Sequence, residues 1–303
     1  MIVLITGLPL FCKRFTADLK EFDSKNTYIF LDTYNSKIAQ LKFLMLLPFS
    51  KVVISLNGVS DNSGSLNWVL FWKKKLILQW MGTDSLLALE RFKNKTILRK
   101  YMDYASLNSV DFQLLYDDLV KFGLKPEYLD YKFLEKKELI SEYNEIKVLS
   151  YIPQSRQDFY GMNWIYNLAK SNPNFSFTII GSENYYLEAL SNIEFKGWVS
   201  QEENFSLMKS HPICLRLTEH DGCSLFVLQA LAFGSEVLWT FPYENTHLVK
   251  SEEELQIKFE KIIFELNQRN LKPNLKQSEL IISKFVKEKV IKNYIDKINS
   301  IGK

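Results

Sequence analysis

The stretch TEHDGCSLFVLQALAFG, residues 218–234, joins two segments of opposite character. Its first half is small, polar and acidic, whereas its second half is an apolar helix pattern that should be buried. Gly222 lets a ligand approach the backbone closely. The first helix amides, near Ser224 and Leu225, lack intrahelical partners and can bind an anion. Gln229 leans back over the same region, so the stretch predicts a ligand site between a strand and a helix.

A helix cap is the competing explanation for part of this cluster. Asp221 or Ser224 can cap the helix through its side-chain oxygen. Capping accounts for one residue, however, and leaves Glu219, His220 and Gln229 unexplained. An amide inside an apolar helix face must find hydrogen-bond partners, and this favours a ligand site.

The length, composition and charge of the chain limit the kinds of protein that it can be. A chain of 303 residues suits two domains of roughly 150 residues each. A hydrophobic fraction of 47% and a charged fraction of 24% are typical of a soluble globular protein. The net charge of +3 is near balance and argues against a nucleic-acid partner. The three cysteines have no metal-ligand spacing, which predicts reduced thiols and no metal site.

The sequence predicts a cytoplasmic protein. The apolar start lacks the basic leading segment of a signal peptide, and no apolar run reaches the roughly 18 residues that a spanning helix needs. Positive charge is concentrated at residues 72–76 and 91–100, where a solvated face is favoured over a patch for anionic lipid headgroups. The apolar stretches 42–49 and 66–75 would suit peripheral contact at the inner face of a membrane, but buried core helices are the favoured interpretation.

Short β-rich runs alternate with helical patterns in both halves, which predicts parallel sheets built from βαβ units. A charged, weakly periodic segment, residues 125–145, is taken as the connection. We therefore expect an α/β protein with domains at 1–135 and 136–303, the last helix packing back on the first domain. The predicted strands are 2–6, 27–32, 51–56, 76–80, 103–107, 146–152, 175–181, 193–199, 212–218 and 235–240. The predicted helices are 36–47, 110–122, 162–170, 185–191, 201–209 and 225–233, with one or two lysine-rich helices at 279–301.

Residues 220–240 resemble the donor-site signature of the retaining glycosyltransferases of family 4, which have the GT-B fold. The signature has an acidic residue, a glycine, a small and an apolar residue, a second acid eight positions after the first, and Ala-x-Ala-x-Gly. The matching residues are Asp221, Gly222, Ser224, Leu225, Gln229, Ala230, Ala232 and Gly234. SYIPQSRQDFYG, FTIIG and IEFKGWVSQEENFSLM precede them in the family's order, so that the resemblance covers residues 146–240.

The resemblance implies two doubly wound Rossmann-like domains facing each other across a cleft. It also implies transfer of a sugar from a nucleotide sugar, with retention and without a metal or other cofactor. Asp221, with His220, would act on the donor sugar. The implied donor-binding residues are Arg156, Tyr160, Gly181, Glu219, Gly222, Ser224, Leu225 and Gln229.

Two departures from the family pattern concern the charges of the donor site. Gln229 stands where the family has an acid for the ribose hydroxyls, and Tyr160 stands where it has a phosphate-binding Lys. Arg216, on the strand into the site, either replaces that cation or pairs with a carboxylate. These departures keep open a relative that binds a nucleotide sugar or a partner without turnover. A sugar-nucleotide epimerase is a further alternative.

The N-terminal domain would hold the acceptor, a glycan or a lipid-linked or protein-linked group. Its candidate residues follow predicted strands and are Gly7, Asn57, Trp80 and Asp84. A plain turn is the simpler explanation for Gly7. A helix cap explains Asp84 equally well.

Overall fold

A computed structural model describes residues 1–135, 139–140 and 142–303. The chain forms two compact units, each with its own sheet. Unit 1 comprises Met1–Phe133 and Val286–Lys303, and unit 2 comprises Leu134–Phe285. The predicted start of the second domain, residue 136, lies outside the described residues.

Unit 1 contains a six-stranded parallel sheet in the order β2-β1-β3-β4-β5-β6. The runs IVLITG and SKVVISL are almost continuously buried, as expected for strands that helices cover on both faces. The strands are β1 (Ile2–Gly7), β2 (Thr27–Phe30), β3 (Ser50–Leu56), β4 (Lys75–Gln79), β5 (Leu107–Val110) and β6 (Glu127–Tyr128). The helices are α1 (Pro9–Phe22), α2 (Lys37–Leu46), α3 (Gly64–Phe71), α4 (Thr83–Lys93), α5 (Lys100–Tyr104) and α6 (Gln113–Lys121).

Unit 2 contains a second six-stranded parallel sheet, in the order β12-β11-β10-β7-β8-β9. Its strands are β7 (Lys147–Tyr151), β8 (Ser176–Ile180), β9 (Ile193–Gly197), β10 (Ile213–Arg216), β11 (Glu236–Trp239) and β12 (His247–Leu248). Its helices are α7 (Met162–Ser171), α8 (Gln201–Ser210), α9 (Leu225–Ala232), α10 (Glu252–Gln268) and α11 (Leu275–Lys284).

The last helix, α12 (Lys287–Gly302), completes the core of unit 1. Tyr294 is fully buried, and its ring meets that of Phe15 edge to face with centroids 4.7 Å apart. Its hydroxyl donates to Oε1 of Gln79, 3.2 Å away. The helix is therefore part of the first unit's core and not a tail of the second unit.

Two predicted elements differ from the structure. The strand predicted at 103–107 begins four residues later, as β5, because the first residues of the predicted range belong to α5. An ion pair of 2.8 Å between Arg99 and Asp103, four residues apart, supports that helical turn. The predicted helix at 185–191 is irregular, because the ring of Tyr185 packs into the core and its hydroxyl lies 3.1 Å from Oδ1 of Asp158.

The apolar stretch 42–49 is not a buried core helix as predicted. Phe43 is the one buried residue of α2, and the other apolar side chains of the helix are partly or largely exposed. No helix among the described residues combines the length and apolarity needed to cross a membrane.

We expect the stability of unit 2 to depend on pH through His211. Burial lowers the pKa of His211 from its ordinary 6.5 to about 4. Its ring lies between Oγ1 of Thr178, 2.9 Å away, and the carbonyl of Leu207, 2.6 Å away. Because the unfolded chain binds this proton more tightly, stability should fall as the pH drops from 6.5 toward 4, by up to about 1.4 kcal/mol per unit.

Urea denaturation of the wild type and of His211→Asn across this pH range measures the effect. The stability of the variant should depend less steeply on pH than that of the wild type. Parallel pH dependences would contradict the assignment to His211.

Candidate functional site

The switch point of the second sheet is where an open α/β sheet binds ligands. In unit 2 the first strand, β7, lies between β10 and β8, so the strand order reverses there. The carboxyl ends of β7 and β10 are Tyr151 and Arg216. The predicted loop 219–223 follows β10 directly, so it lies at this switch point.

A buried ion pair forms the centre of this site. Arg216 donates from Nε to Oδ2 of Asp221 at 2.7 Å and from Nη2 to Oδ1 at 3.1 Å. The side chains are 7% and 12% exposed, so both charges are largely removed from water. Burial alone would lower the pKa of Arg216, but the Asp221 carboxylate outweighs that effect and raises it. Pairing with a carboxylate, one of the two roles predicted for Arg216, is therefore present.

The pair leaves one strong donor unsatisfied. Nη1 of Arg216 is buried and has no hydrogen-bond partner among the described residues. The ring of Tyr160 lies 4.6 Å from the guanidinium carbon, a cation–π contact. Burial also raises the pKa of Tyr151, whose ring meets that of Tyr160 edge to face at 6.4 Å. The cation of this site thus lies against the ring of Tyr160.

The loop after β7 brings Tyr160 to this cluster. It forms two 3₁₀ turns, and the guanidinium of Arg156 covers the ring of Phe159 at 3.9 Å. The loop ends at Gly161, which has a φ of 72°. A Cβ there would lie 2.2 Å from the carbonyl oxygen of Leu217, so only glycine allows this approach.

The loop after β10 is fixed by its backbone. The amide of Glu219 donates to the carbonyl of Phe159 at 3.0 Å, while its side chain is exposed. Thr218 donates from Oγ1 to the carbonyl of His220 at 3.0 Å, and His220 is half-buried. Gly222 is buried and its φ is not left-handed. The loop therefore holds its shape without help from the Glu219 side chain.

Helix α9 presents one narrow face outward. Ser224 is its N-cap and accepts from the amide of Val227 at 3.5 Å, so capping accounts for this residue. Leu225 and Gln229, one turn apart, are half-buried, whereas the other six residues of the helix are buried. Gln229 is thus on the accessible face of α9 and is not part of the hydrophobic core.

Gly181 lies at the carboxyl end of the neighbouring strand, β8. It follows β8 with a φ of 89°, and a Cβ would lie 2.8 Å from the carbonyl oxygen of Ile152. Its carbonyl accepts from the amide of Gln154 at 2.9 Å. The backbone packing between strand ends is sufficient to require glycine here.

Unit 1 has a pocket of its own, with a volume of about 480 Å³. Its walls come from the loops after β2 and β3 and from α2, α3 and α4. Asn57, a predicted acceptor-side residue, is half-buried and lines this pocket. The aromatic rings of Tyr34, Phe43 and Trp68 provide apolar wall beside hydroxyl and amide groups. Such a mixed lining suits a polyhydroxylated ligand with an apolar portion.

Asp84 borders this pocket, but its carboxylate is hydrogen-bonded to backbone amides of unit 1. Its buried carboxylate accepts backbone amides from Gly58, Met81, Gly82 and Ser85. Burial raises the pKa of Asp84, and these four donors oppose that rise. The carboxylate of Asp84 therefore joins the loops after β3 and β4 through their backbone amides.

Trp80 and Gly7 belong to the framework of the sheet. Trp80 is completely buried, and its indole donates to Oδ1 of Asn108 at 3.1 Å. This places it in the core, in contrast to the predicted acceptor side. Gly7 has a φ of 122°, and a Cβ would lie 2.3 Å from the carbonyl oxygen of Leu56, which supports the simpler explanation of a turn.

Several pocket residues were not singled out from the sequence. Tyr34 follows β2, and Arg91 and Asp61 form an ion pair of 2.9 Å at the pocket. Tyr34 follows a strand, as the predicted acceptor-side residues do, so its position in the sequence could have identified it. The Arg91–Asp61 pair carries no such signal, because it joins loop and helix residues 30 positions apart.

No group of three or more His, Cys, Asp or Glu side chains in the described part of the chain is placed to hold a metal ion. Burial raises the pKa of Cys12 and of Cys214 to about 12, so these thiols stay protonated and unreactive at neutral pH.

Comparisons with known proteins place the fold. No protein-family model and no curated protein matches the sequence. HepE from Anabaena, solved with UDP-glucose, matches with a TM-score of 0.71 at 10% identity, covering 99% of this chain and 100% of that one. Sucrose-phosphate synthase from Thermosynechococcus elongatus matches with a TM-score of 0.70 at 10% identity, covering 99% and 98%.

The pneumococcal O-GlcNAc transferase GtfA, solved with UDP and GlcNAc, matches over part of its length. The TM-score is 0.63 at 15% identity, and the match covers 86% of this chain but 59% of GtfA. These likenesses show that the chain has the two-domain α/β fold of the GT-B glycosyltransferases, as predicted.

Proposed function

We propose that the protein is a glycosyltransferase that moves a sugar from a uridine diphosphate sugar to an acceptor. The observation that carries this proposal is the buried Arg216 at the switch point of unit 2, with one donor unsatisfied. An anionic ligand would supply the missing acceptor. The shared fold supports the proposal, since HepE and GtfA were solved with UDP-glucose and with UDP and GlcNAc.

The leaving group would be a nucleoside diphosphate, whose negative charge grows as the sugar departs. Arg216 would supply the positive charge that a Lys provides in the family and that Tyr160 does not provide here. Arg156 would add a second guanidinium from the loop after β7. The free amides at the start of α9, near Ser224 and Leu225, point along the helix dipole toward an anion. Together these groups would stabilise the developing charge without a metal ion.

The sugar and ribose would contact the remaining residues of the loop. Gln229, on the accessible face of α9, would bind the ribose hydroxyls through its amide. Asp221 holds Arg216 with both oxygens and would orient the donor sugar through their remaining lone pairs, with His220 beside it. Retention of configuration comes from the resemblance to family 4. The acceptor, a glycan or a lipid-linked or protein-linked group, would occupy the pocket of unit 1.

A thermal-shift titration with UDP, GDP, ADP, CMP and dTDP sugars tests the donor site. UDP-sugars should raise the melting temperature, because a ligand at 100 times its Kd adds about 2.7 kcal/mol to stability. Arg156→Ala and Gln229→Ala should reduce the shift, while the exposed Lys276→Ala should keep it. No shift with any nucleotide, or equal shifts in all variants, would contradict the proposed site.

A further inference from the structure

An apolar stripe runs along the outer face of α2 and the 3₁₀ turn Leu47–Phe49 that follows it. Its four side chains, Ile38, Leu41, Met45 and Phe49, are 70%, 61%, 64% and 73% exposed. Spacings of three and four residues place the first three on one face of the helix. A helix normally buries such a face. Single exposed apolar residues are ordinary, but a stripe of them marks a surface that something covers.

Helix α3 extends this stripe with three aromatic rings. Trp68, Phe71 and Trp72 are 44%, 69% and 45% exposed. Their rings meet edge to face, with centroids 5.5 Å and 5.9 Å apart. The two helices pack side by side, and Nζ of Lys74 donates to the carbonyl of Pro48 at 2.7 Å. We call the seven exposed apolar side chains of both helices the α2–α3 surface.

The segments that carry the α2–α3 surface are rich in lysine, and Asp61, the one acid between residues 33 and 83, is paired with Arg91. Residues 33–60 and 62–83 contain no Asp or Glu. The same segments contain the lysines Lys37, Lys42, Lys51, Lys73, Lys74 and Lys75, of which all but Lys74 are exposed. These two segments therefore carry a charge of +6, whereas the whole chain has a net charge of +3. Apolar side chains flanked by lysines, with tryptophans among them, complement the interface of an anionic bilayer.

We propose that the α2–α3 surface docks unit 1 on an anionic lipid bilayer. Its apolar side chains enter the headgroup region, and the surrounding lysines contact the lipid phosphates. The pocket of unit 1 lies between the same two helices, with Phe43 and Leu44 from α2 and Trp68 from α3 in its wall. Docking therefore brings the pocket to the bilayer. The acceptor is a lipid-linked sugar whose headgroup enters it, a step that rests on the proposed function.

Flotation with lipid vesicles tests the docking directly. The protein should float with vesicles of phosphatidylcholine and phosphatidylglycerol in equal parts and remain unbound with phosphatidylcholine alone. High salt should weaken the binding, because the lysine contribution is screened.

Two pairs of variants separate the apolar and the charged contributions. Phe49→Ser with Phe71→Ser should weaken binding by at least about tenfold. The matched control is Ile257→Ser with Phe264→Ser on α10 of unit 2, where the side chains are 65% and 64% exposed. It should bind as the wild type does.

Lys37→Glu with Lys42→Glu should also weaken binding, by about fivefold or more per lysine. The control for charge is Lys272→Glu with Lys276→Glu, both exposed on unit 2. Circular dichroism melting of each variant confirms that it is folded. Failure of either variant of the α2–α3 surface to weaken binding, with both controls unchanged, would overturn the docking surface.

Other outcomes overturn the proposal in different ways. Equal binding to both vesicles, or none to either, would remove the anionic bilayer as the occupant. A dimer of the wild type that Phe49→Ser with Phe71→Ser dissociates would assign the surface to a second copy of the chain. UDP-sugar binding is measured in unit 2 without lipid, so failure of the donor site and failure of the docking surface give distinct results.

Discussion

Replacing Arg216 with methionine is expected to lower the free energy of unfolding by about 3 to 5 kcal/mol, because it leaves the Asp221 carboxylate buried without its partner. The same change should abolish the thermal shift with UDP-sugars, since it removes the buried cation of the proposed donor site. Urea denaturation and a UDP-sugar titration of the variant measure the two effects.

The double variant Arg216→Met with Asp221→Leu separates structure from ligand binding. Removing both charges restores an apolar interior, and most of the lost stability should return. UDP-sugar binding should remain absent, because the guanidinium is still missing. A double variant that regains both stability and nucleotide binding would show that the ion pair serves the fold alone.

Replacing Asp84 with alanine is expected to destabilise unit 1 by about 3 kcal/mol or more, since backbone amides in two loops lose their charged acceptor. If Asp84 instead binds an acceptor hydroxyl, the stability should change little and the KM for the acceptor should rise. The matched variant is Asn57→Ala, because Asn57 lines the same pocket and is half-buried. It should keep its stability and lose acceptor affinity, the reverse of the Asp84 variant.

The fold could be predicted from the sequence because strands buried on both faces are nearly continuous apolar runs. The strands 2–6, 51–56 and 76–80 were predicted to within one residue at each end, because β-branched and leucine residues fill them. The loop order of unit 2 was also visible, since the donor-site candidates lie in the loops that follow β7, β8 and β10 or in α9. These are local properties of the chain.

The misassigned residues depend on contacts distant in sequence. Trp80 lies at the end of a strand buried on both faces, where alternation does not tell which side chain reaches a ligand. Asp84 is held by Gly58, 26 positions away, so its role requires two loops to meet. The apolar stretch 42–49 was expected in the core because an apolar run indicates burial, but no described part of the chain covers the outer face of α2.

The place of α12 in the chain affects the order in which the protein folds during synthesis. The ribosome completes all of unit 2 before it makes this helix. Until then the core of unit 1 lacks Ile291, Tyr294 and Ile298, and the ring of Phe15 meets that of Tyr131 alone. Domains usually fold as units in the order of their synthesis. Here the unit whose strands are made first is completed only after unit 2, so the nascent protein carries an incomplete first core until α12 emerges.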